Sequence, residues 1–374
     1  MAWPGLTCLE SVAPIIYKIN RSINKKVHIC SINFIQNHKN NKIINFLKSE
    51  GVFYNDYPIK NLRYFFWKLF ILVIKIFPNN NLNLFRSFFR RLYVNHILFD
   101  KSEFTKYLIR NKIRSVTLDT SVPDKKKKII FEVCKKLKIK LIGYNTGPEI
   151  LSFKEKLYPK YFRYFDFYLE QNKLRKIVYN KILKKKVKIL GSARYSDEWL
   201  RIVDKIYNFR KKKKKRYPIK VGVFLTQDSQ NLPRSHPIIE QLSKQKNIEI
   251  KFRNKPRDYM PYKYCKFSYD ELDTSELIDW SNIIISTQTS AILEALLKKK
   301  IVIFLEHLIP KSYGKWLNNF RNVVFLTKKD NDVIELINSN RLKIGNSLSY
   351  RKSVIGRNNK NILKDYLNFY KKTV

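Results

Sequence analysis

Short apolar runs alternate with longer amphipathic stretches along this chain, and that alternation restricts the fold more than any other feature. Ile219–Leu225 (IKVGVFL), Ile248–Phe252 (IEIKF), Asn282–Ser286 (NIIIS), Ile301–Leu305 (IVIFL) and Asn322–Leu326 read as strands. His236–Lys246, Thr274–Asp279, Thr289–Lys298 and Asn331–Asn338 read as the helices among them. Strands joined through helices become parallel neighbours, so the pattern predicts βαβ units with helices on both sheet faces.

The first half follows the same rule. Val27–Asn33, Ser115–Thr120, Lys140–Tyr144 and the run Phe165–Leu169 (FDFYL) read as strands, with helices over Ser11–Ser22 and Asp124–Leu137. A strand before the first helix would have to lie in Met1–Pro4, so it is truncated or missing. Val187–Leu190, followed at once by Gly191, reads as the opening strand of the second half. The 374 residues exceed one ordinary core. The expected division is 1–180 and 181–355, with 356–374 as a terminal helix returning to the first domain. The fold class is α/β, with two Rossmann-like domains whose parallel sheets face a central cleft.

Charge narrows the partners. Lys and Arg number 76 against 30 Asp and Glu, a formal net charge of +46. An excess of that size points to an anionic partner: phospholipid, a phosphorylated substrate or nucleic acid. Cys8, Cys30, Cys134 and Cys265 form no CxxC pair, which fits a reducing cytoplasm and no zinc site. Met1–Pro14 lacks a basic leader and contains Pro4 and Pro14, which is not a signal-peptide pattern. The longest apolar stretch, Leu62–Phe77, falls short of the roughly 20 residues of a spanning helix and is interrupted by Lys68 and Lys75. Leu62–Leu98 mixes aromatics with Arg63, Lys68, Lys75, Arg86, Arg90 and Arg91, as interfacial helices do, though a core helical pair reads equally well. The run Lys211–Arg216 reads most simply as a solvated loop.

Asp279–Leu305 carries the most chemistry. A strand leads into the polar loop Ser286–Ser290, a helix follows, and Glu294 stands one turn into it. Unpaired N–H groups at a helix start, joined by the hydroxyls of Ser286, Thr287, Thr289 and Ser290, suit a phosphate, and Glu294 could accept from ribose hydroxyls. Local physics serves a second reading as well: Thr289 or Ser290 caps the helix and Glu294 supports the cap.

The segment resembles the nucleotide-binding stretch of GT-B glycosyltransferases and their relatives, the nonhydrolysing UDP-N-acetylglucosamine epimerases and the CDP-glycerol glycerophosphotransferases. The matching parts are Asp279-Trp280-Ser281, Ile283–Ile285, Ser286–Ser290, Glu294-Ala295, Lys298–Lys300 and Ile301–Phe304. Ile248–Asp258 is similar to the family's strand and basic turn, which makes Lys251, Arg253, Lys255 and Arg257 the implied diphosphate partners; the usual histidine is missing. Gly191–Trp199 is similar to a G-x-P-R turn with Ala193 in place of proline, which implies that Arg194 faces the interdomain cleft. The resemblance implies a catalytic base at a strand end in the first half. Asp119 and Glu149 are so placed, and each could instead be a cap or a loop carboxylate.

The resemblance implies transfer of a sugar, or glycerol phosphate, from a nucleotide-activated donor to a cell-envelope glycan or lipid-linked acceptor. It implies neither metal nor other cofactor, and a cytoplasmic site of action, peripheral at the inner face of the plasma membrane. The alternatives are an epimerase or an inactive member of the same fold, or a basic nucleic-acid-binding protein, against which no RRM, KH, zinc-finger or helix-turn-helix pattern appears. Asp330-Asn331-Asp332 has the form of a DxD metal motif but opens a helix, where capping is the expected role. His28, His38, His96, His236 and His307 show no metal-ligand spacing.

Overall fold

The computed structural model describes residues 2–3, 6–23, 26–31, 41–56, 101–119, 124–144, 164–171, 186–207, 218–225, 235–252, 274–287, 289, 291–308, 324–339, 342, 356 and 361–373. They fall into two units. The first takes in 1–146, 157–199 and 359–374; the second takes in 147–156 and 200–358.

In the first unit the chain runs β1 (Ala2–Trp3), α1 (Leu6–Ser22), β2 (His28–Ser31), α2 (Lys42–Ser49), β3 (Phe53–Asp56), α3 (Lys101–Arg110), β4 (Ser115–Asp119), α4 (Asp124–Lys136), β5 (Lys140–Tyr144), β6 (Phe167–Glu170) and β7 (Val187–Ile189). These strands form one seven-stranded sheet in the order β3-β2-β1-β4-β5-β6-β7, and every pairing is parallel. Order reverses between β1 and β4, the switch point of a doubly wound sheet. The truncated first strand is therefore present as two residues at the centre of the sheet, where Ala2 pairs with both Cys30 and Leu118.

Helix α1 begins earlier than its polar start at Ser11 predicts and runs through Pro14. An internal proline removes a hydrogen bond and costs about 3 kcal/mol. Burial of Leu9, Val12, Ala13, Ile15, Ile16 and Ile19 on one face offsets it.

Helix α5 (Asp197–Ile206) carries the chain across the division. The second unit continues with β8 (Ile219–Phe224), α6 (Ser235–Ser243), β9 (Ile248–Phe252), α7 (Thr274–Trp280), β10 (Ile283–Ser286), α8 (Ala291–Leu297), β11 (Ile301–Leu305), β12 (Val324–Thr327) and α9 (Asp330–Asn338). Its five strands are all parallel in the order β12-β11-β10-β8-β9, with the switch point between β8 and β10. β10 is buried throughout and β11 nearly so, which is why both read as unbroken apolar runs. The last helix, α10 (Ile362–Thr373), belongs to the first unit and packs on α1.

The division differs from the expected 180/181. β7 pairs with β6 through Tyr168–Val187, Leu169–Lys188 and Glu170–Ile189, so Val187–Leu190 closes the first sheet and does not open the second. The break falls after Trp199, whose indole is buried against Tyr17 and Phe46 of the first unit.

Gly222 in β8 shows how tightly the second unit is packed. A Cβ there would lie 2.3 Å from Ser281 Oγ and 3.2 Å from Ile284 Cδ1. Ser281 Oγ in turn donates to Leu277 O at 2.6 Å at the end of α7. Gly222→Ala is expected to cost about 1–3 kcal/mol through overpacking. A second substitution, Ser281→Ala, should recover part of the loss, and urea unfolding of the double-mutant cycle measures that coupling.

Candidate active site

Ligands of open parallel sheets bind beyond the carboxyl ends of the strands at the switch point. In the first unit that position belongs to β1 and β4, and β4 ends in Asp119, which is buried. Helix α4 starts just after it, with Lys126 and Lys127 both buried near its first turn. Burial pushes the Lys126 ammonium down to about 8, because the low-dielectric surroundings disfavour its charge. Glu170, at the end of β6, is a further buried carboxylate on this edge. Sequence reading passed over both Lys126 and Glu170, since only the sheet order shows that they share an edge with Asp119.

Arg194 lies in the first unit, not at the start of the second. It sits in the short 3-10 turn Ala193–Tyr195 after β7, where Nη2 meets Glu10 Oε2 at 2.8 Å. Its guanidinium also lies 5.5 Å from the Tyr195 ring. The ion pair ties the turn to α1, and the Gly191–Trp199 turn serves the junction of β7 with α1 and α10; Gly191 O accepts from Tyr366.

In the second unit the switch point is the end of β8 against the end of β10. Ser286 ends β10 beside Phe224, and the Thr287 N–H donates to Phe224 O at 3.2 Å. Ser286 and Thr287 are both fully buried, and the Ser286 hydroxyl makes no hydrogen bond among the described residues. A buried hydroxyl without a partner costs about 1–3 kcal/mol and is a recurrent feature of functional sites.

Thr289 caps α8: its Oγ1 accepts from Ala291 N at 3.3 Å and its carbonyl from Ile292 N at 3.4 Å. Glu294 Oε1 stands 3.6 Å from Lys298 Nζ, one turn on, and Lys298 also reaches Ser275 O of α7 at 3.4 Å. Glu294 is 3% exposed. Lys300 is structural: buried, it donates to Asp279 O at 2.7 Å and Ser281 O at 2.6 Å, tying the start of β11 to the end of α7. Lys251 lies on the Trp280 ring at 4.9 Å, with Lys220 at 5.4 Å. Glu149, Ser290, Arg253, Lys255, Arg257, and the Leu62–Leu98 and Lys211–Arg216 segments lie outside the described residues.

The DxD-like triplet does what its place at a helix start predicts. Asp332 Oδ2 accepts from the backbone N–H groups of Lys328 and Lys329, both at 3.0 Å. Asp330 meets a partner that its sequence neighbours do not reveal: His307 Nε2 lies 2.6 Å from Asp330 Oδ1, while His307 Nδ1 faces Thr327 O at 3.2 Å. Both residues follow strand ends, β11 and β12, on the carboxyl edge of the second sheet.

Known folds share this pair of sheets. UDP-GlcNAc 2-epimerase from Methanocaldococcus jannaschii, crystallised with UDP-GlcNAc and UDP, matches with a TM-score of 0.60 at 12% identity, over 100% of this chain and 98% of that one. The fold is GT-B. UDP-N-acetylglucosamine 2-epimerase from Rickettsia bellii matches at 0.55 and 13% identity, over 100% and 97%. Anabaena HepE, crystallised with UDP and glucose, matches at 0.50 and 11% identity, over 100% and 98%. No family model matches the sequence, and no curated protein does either. At such identities the GT-B likeness is one of fold. Among the described residues no helix of this GT-B chain is long and apolar enough to cross a membrane.

Proposed function

We propose that the chain is a GT-B enzyme that transfers a sugar, or glycerol phosphate, from a nucleotide-activated donor to a cell-envelope glycan or lipid-linked acceptor. One observation carries the reading: the Ser/Thr-rich turn after β10 opens at the switch point of the second sheet, with Ser286 and Thr287 beside Phe224. A nucleotide diphosphate set there would meet backbone N–H groups and hydroxyls, and Glu294 would accept from its ribose. Arg253, Lys255 and Arg257, which follow β9 in sequence, would neutralise the leaving diphosphate. Fixed cations in that role make a divalent metal unnecessary. In the first unit Asp119 or Glu149 would take the proton of the acceptor hydroxyl as it attacks the donor.

The test is a thermal-shift screen with UDP-, GDP-, CDP- and CMP-linked donors. A donor at about a hundred times its Kd adds about 2.7 kcal/mol, a rise of about 5–10 °C for a unit of this size. One nucleotide class is expected to give that rise, and a Ser286→Val, Thr287→Val double variant to lose it. No response to any of the four would overturn the reading. The likeness to enzymes named as UDP-GlcNAc 2-epimerases supports a second reading, epimerisation of the donor itself. Incubation with UDP-GlcNAc and no acceptor separates the two: the C2 epimer in the NMR spectrum marks an epimerase, and unchanged donor marks a transferase.

A further inference from the structure

The two edges of the first sheet are chemically opposite. Where its parallel strands end, Asp119 and Glu170 are the last residues of β4 and β6. Where the strands begin and the preceding helices finish, the side chains are cationic. Lys26 precedes β2, Arg110 ends α3 and Lys112 follows it, Lys135 stands in the last turn of α4 and Lys138 follows that helix, and Lys140 opens β5. None of these six is in an ion pair among the described residues. The nearby carboxylates are already engaged: Glu50 lies 3.5 Å from Arg21, Glu132 lies 2.6 Å from Lys101, and Asp166 accepts from Leu141 N at 2.8 Å.

The same edge carries the exposed large apolar side chains found among the described residues. Phe53 (45% exposed) opens β3, Ile109 (59%) stands in the last turn of α3, and Tyr164 (44%) precedes β6. The Tyr164 ring stacks on Phe131 at 5.1 Å and walls an open groove of about 600 Å³ that Lys128, Lys135, Lys138 and Lys140 also line. Phe53 stacks on His28 at 5.2 Å, with Lys26 Nζ 5.3 Å from its ring. The helix dipole favours cations at a helix C-terminus, which accounts for Arg110 and Lys135. It accounts neither for Lys26 and Lys140 at strand starts nor for the exposed apolar side chains.

We propose that this edge docks on an anionic membrane, with Phe53, Ile109 and Tyr164 entering the interfacial layer while the cations meet lipid phosphates. An aliphatic side chain as exposed as Ile109 gains from hydrocarbon and gains nothing from a nucleic-acid backbone, so lipid is the partner that fits. The inference deepens the envelope reading above and does not rest on the nucleotide site.

Co-sedimentation with phosphatidylcholine vesicles, alone or mixed with phosphatidylglycerol, tests it in low salt. The protein is expected to bind the mixed vesicles and not the neutral ones. Each cation near such a surface contributes about fivefold, so Lys135→Gln, Lys138→Gln, Lys140→Gln together should weaken binding about a hundredfold. Ile109→Ser should weaken it roughly tenfold or more. Every variant keeps the Leu62–Phe77 segment, so wild-type binding by all of them would overturn the assignment. So would failure of the unaltered protein to bind the mixed vesicles. Loss of duplex DNA binding in the triple variant, with vesicle binding intact, would hand the surface to nucleic acid. Circular dichroism melts verify folding, and the donor-induced thermal shift should persist in each variant, which keeps this test separate from that of the nucleotide site.

Discussion

Replacing Tyr366 by alanine is expected to destabilise the first unit by about 3–5 kcal/mol, the range for deleting a buried aromatic. Tyr366 is fully buried in α10, its ring meets that of Tyr144 edge-on with centroids 6.3 Å apart, and its hydroxyl donates to Gly191 O at 2.9 Å. The next turn repeats the arrangement, with Tyr370 OH 2.8 Å from Thr117 Oγ1 in β4. Tyr366→Phe keeps the ring and leaves Gly191 O without its donor, a loss of about 1–3 kcal/mol. Hydrogen exchange gives the unit-specific readout: β4–β7 and α10 should lose protection in Tyr366→Ala while β8–β12 keep theirs. Unchanged exchange would refute the anchoring role of α10.

Alkaline pH should act on the same group. Burial pushes the phenols of Tyr144, Tyr366 and Tyr370 well above their ordinary value. The unfolded chain releases these protons near pH 10 while the folded one retains them, so stability is complete below about pH 10 and falls as pH rises beyond it. Tyr366→Phe should make that fall shallower in pH-dependent melts.

Glu294→Ala is expected to weaken the second unit by about 1–3 kcal/mol, because it removes a carboxylate 3.6 Å from the Lys298 ammonium, which keeps Ser275 O at 3.4 Å. Every residue of α8 from Ala291 to Leu296 is buried, so the change is felt in the helical layer and not only at a pocket. Asp204 is a neighbour in charge terms. Burial raises its pKa most, Asp279 and Glu294 raise it further, and Lys298 lowers it. A donor-binding defect in Glu294→Ala would therefore be confounded by lost stability. Glu294→Gln keeps the volume and removes the charge, so calorimetric titration of that variant isolates the ribose contact. A drop in donor affinity of about 1–3 kcal/mol supports the contact; wild-type affinity removes Glu294 from the donor site.

The strands legible in the sequence are those whose apolar runs are continuous. β5 and β11 lie at their expected residues and β10 differs by one at its start, because burial on both faces leaves no polar alternation to blur them; the half-buried edge strand β9 also lies at its expected residues, marked by its apolar–polar alternation. α2 (KIINFLKS), β3 (FYND) and α3 (KSEFTKYLIR) went unread. Each is short, and β3 begins with an exposed phenylalanine and ends in Asn and Asp, which resembles a turn. In the site, the Ser286–Thr287 turn was legible because strand, polar loop and helix are consecutive. The pairing of Arg194 with Glu10 was not legible, because Glu10 lies across the chain. The His307–Asp330 pair escaped notice for the same reason.

By itself the sequence determined the alternation of strand and helix, and with it two parallel sheets and the edge on which the β10–α8 turn must open. Periodicity is a local property, written within a few residues of each position. Tertiary structure alone decided that β7 closes the first sheet, that two residues suffice for the central strand β1, and which partners the tyrosines of the returning helix α10 meet. It also decided that Asp119 and Glu170 share one edge while Lys26, Lys138 and Lys140 share the other. Those choices depend on hydrogen bonding and burial between residues far apart in the chain, whose outcome is fixed only when all the strands compete for neighbours at once.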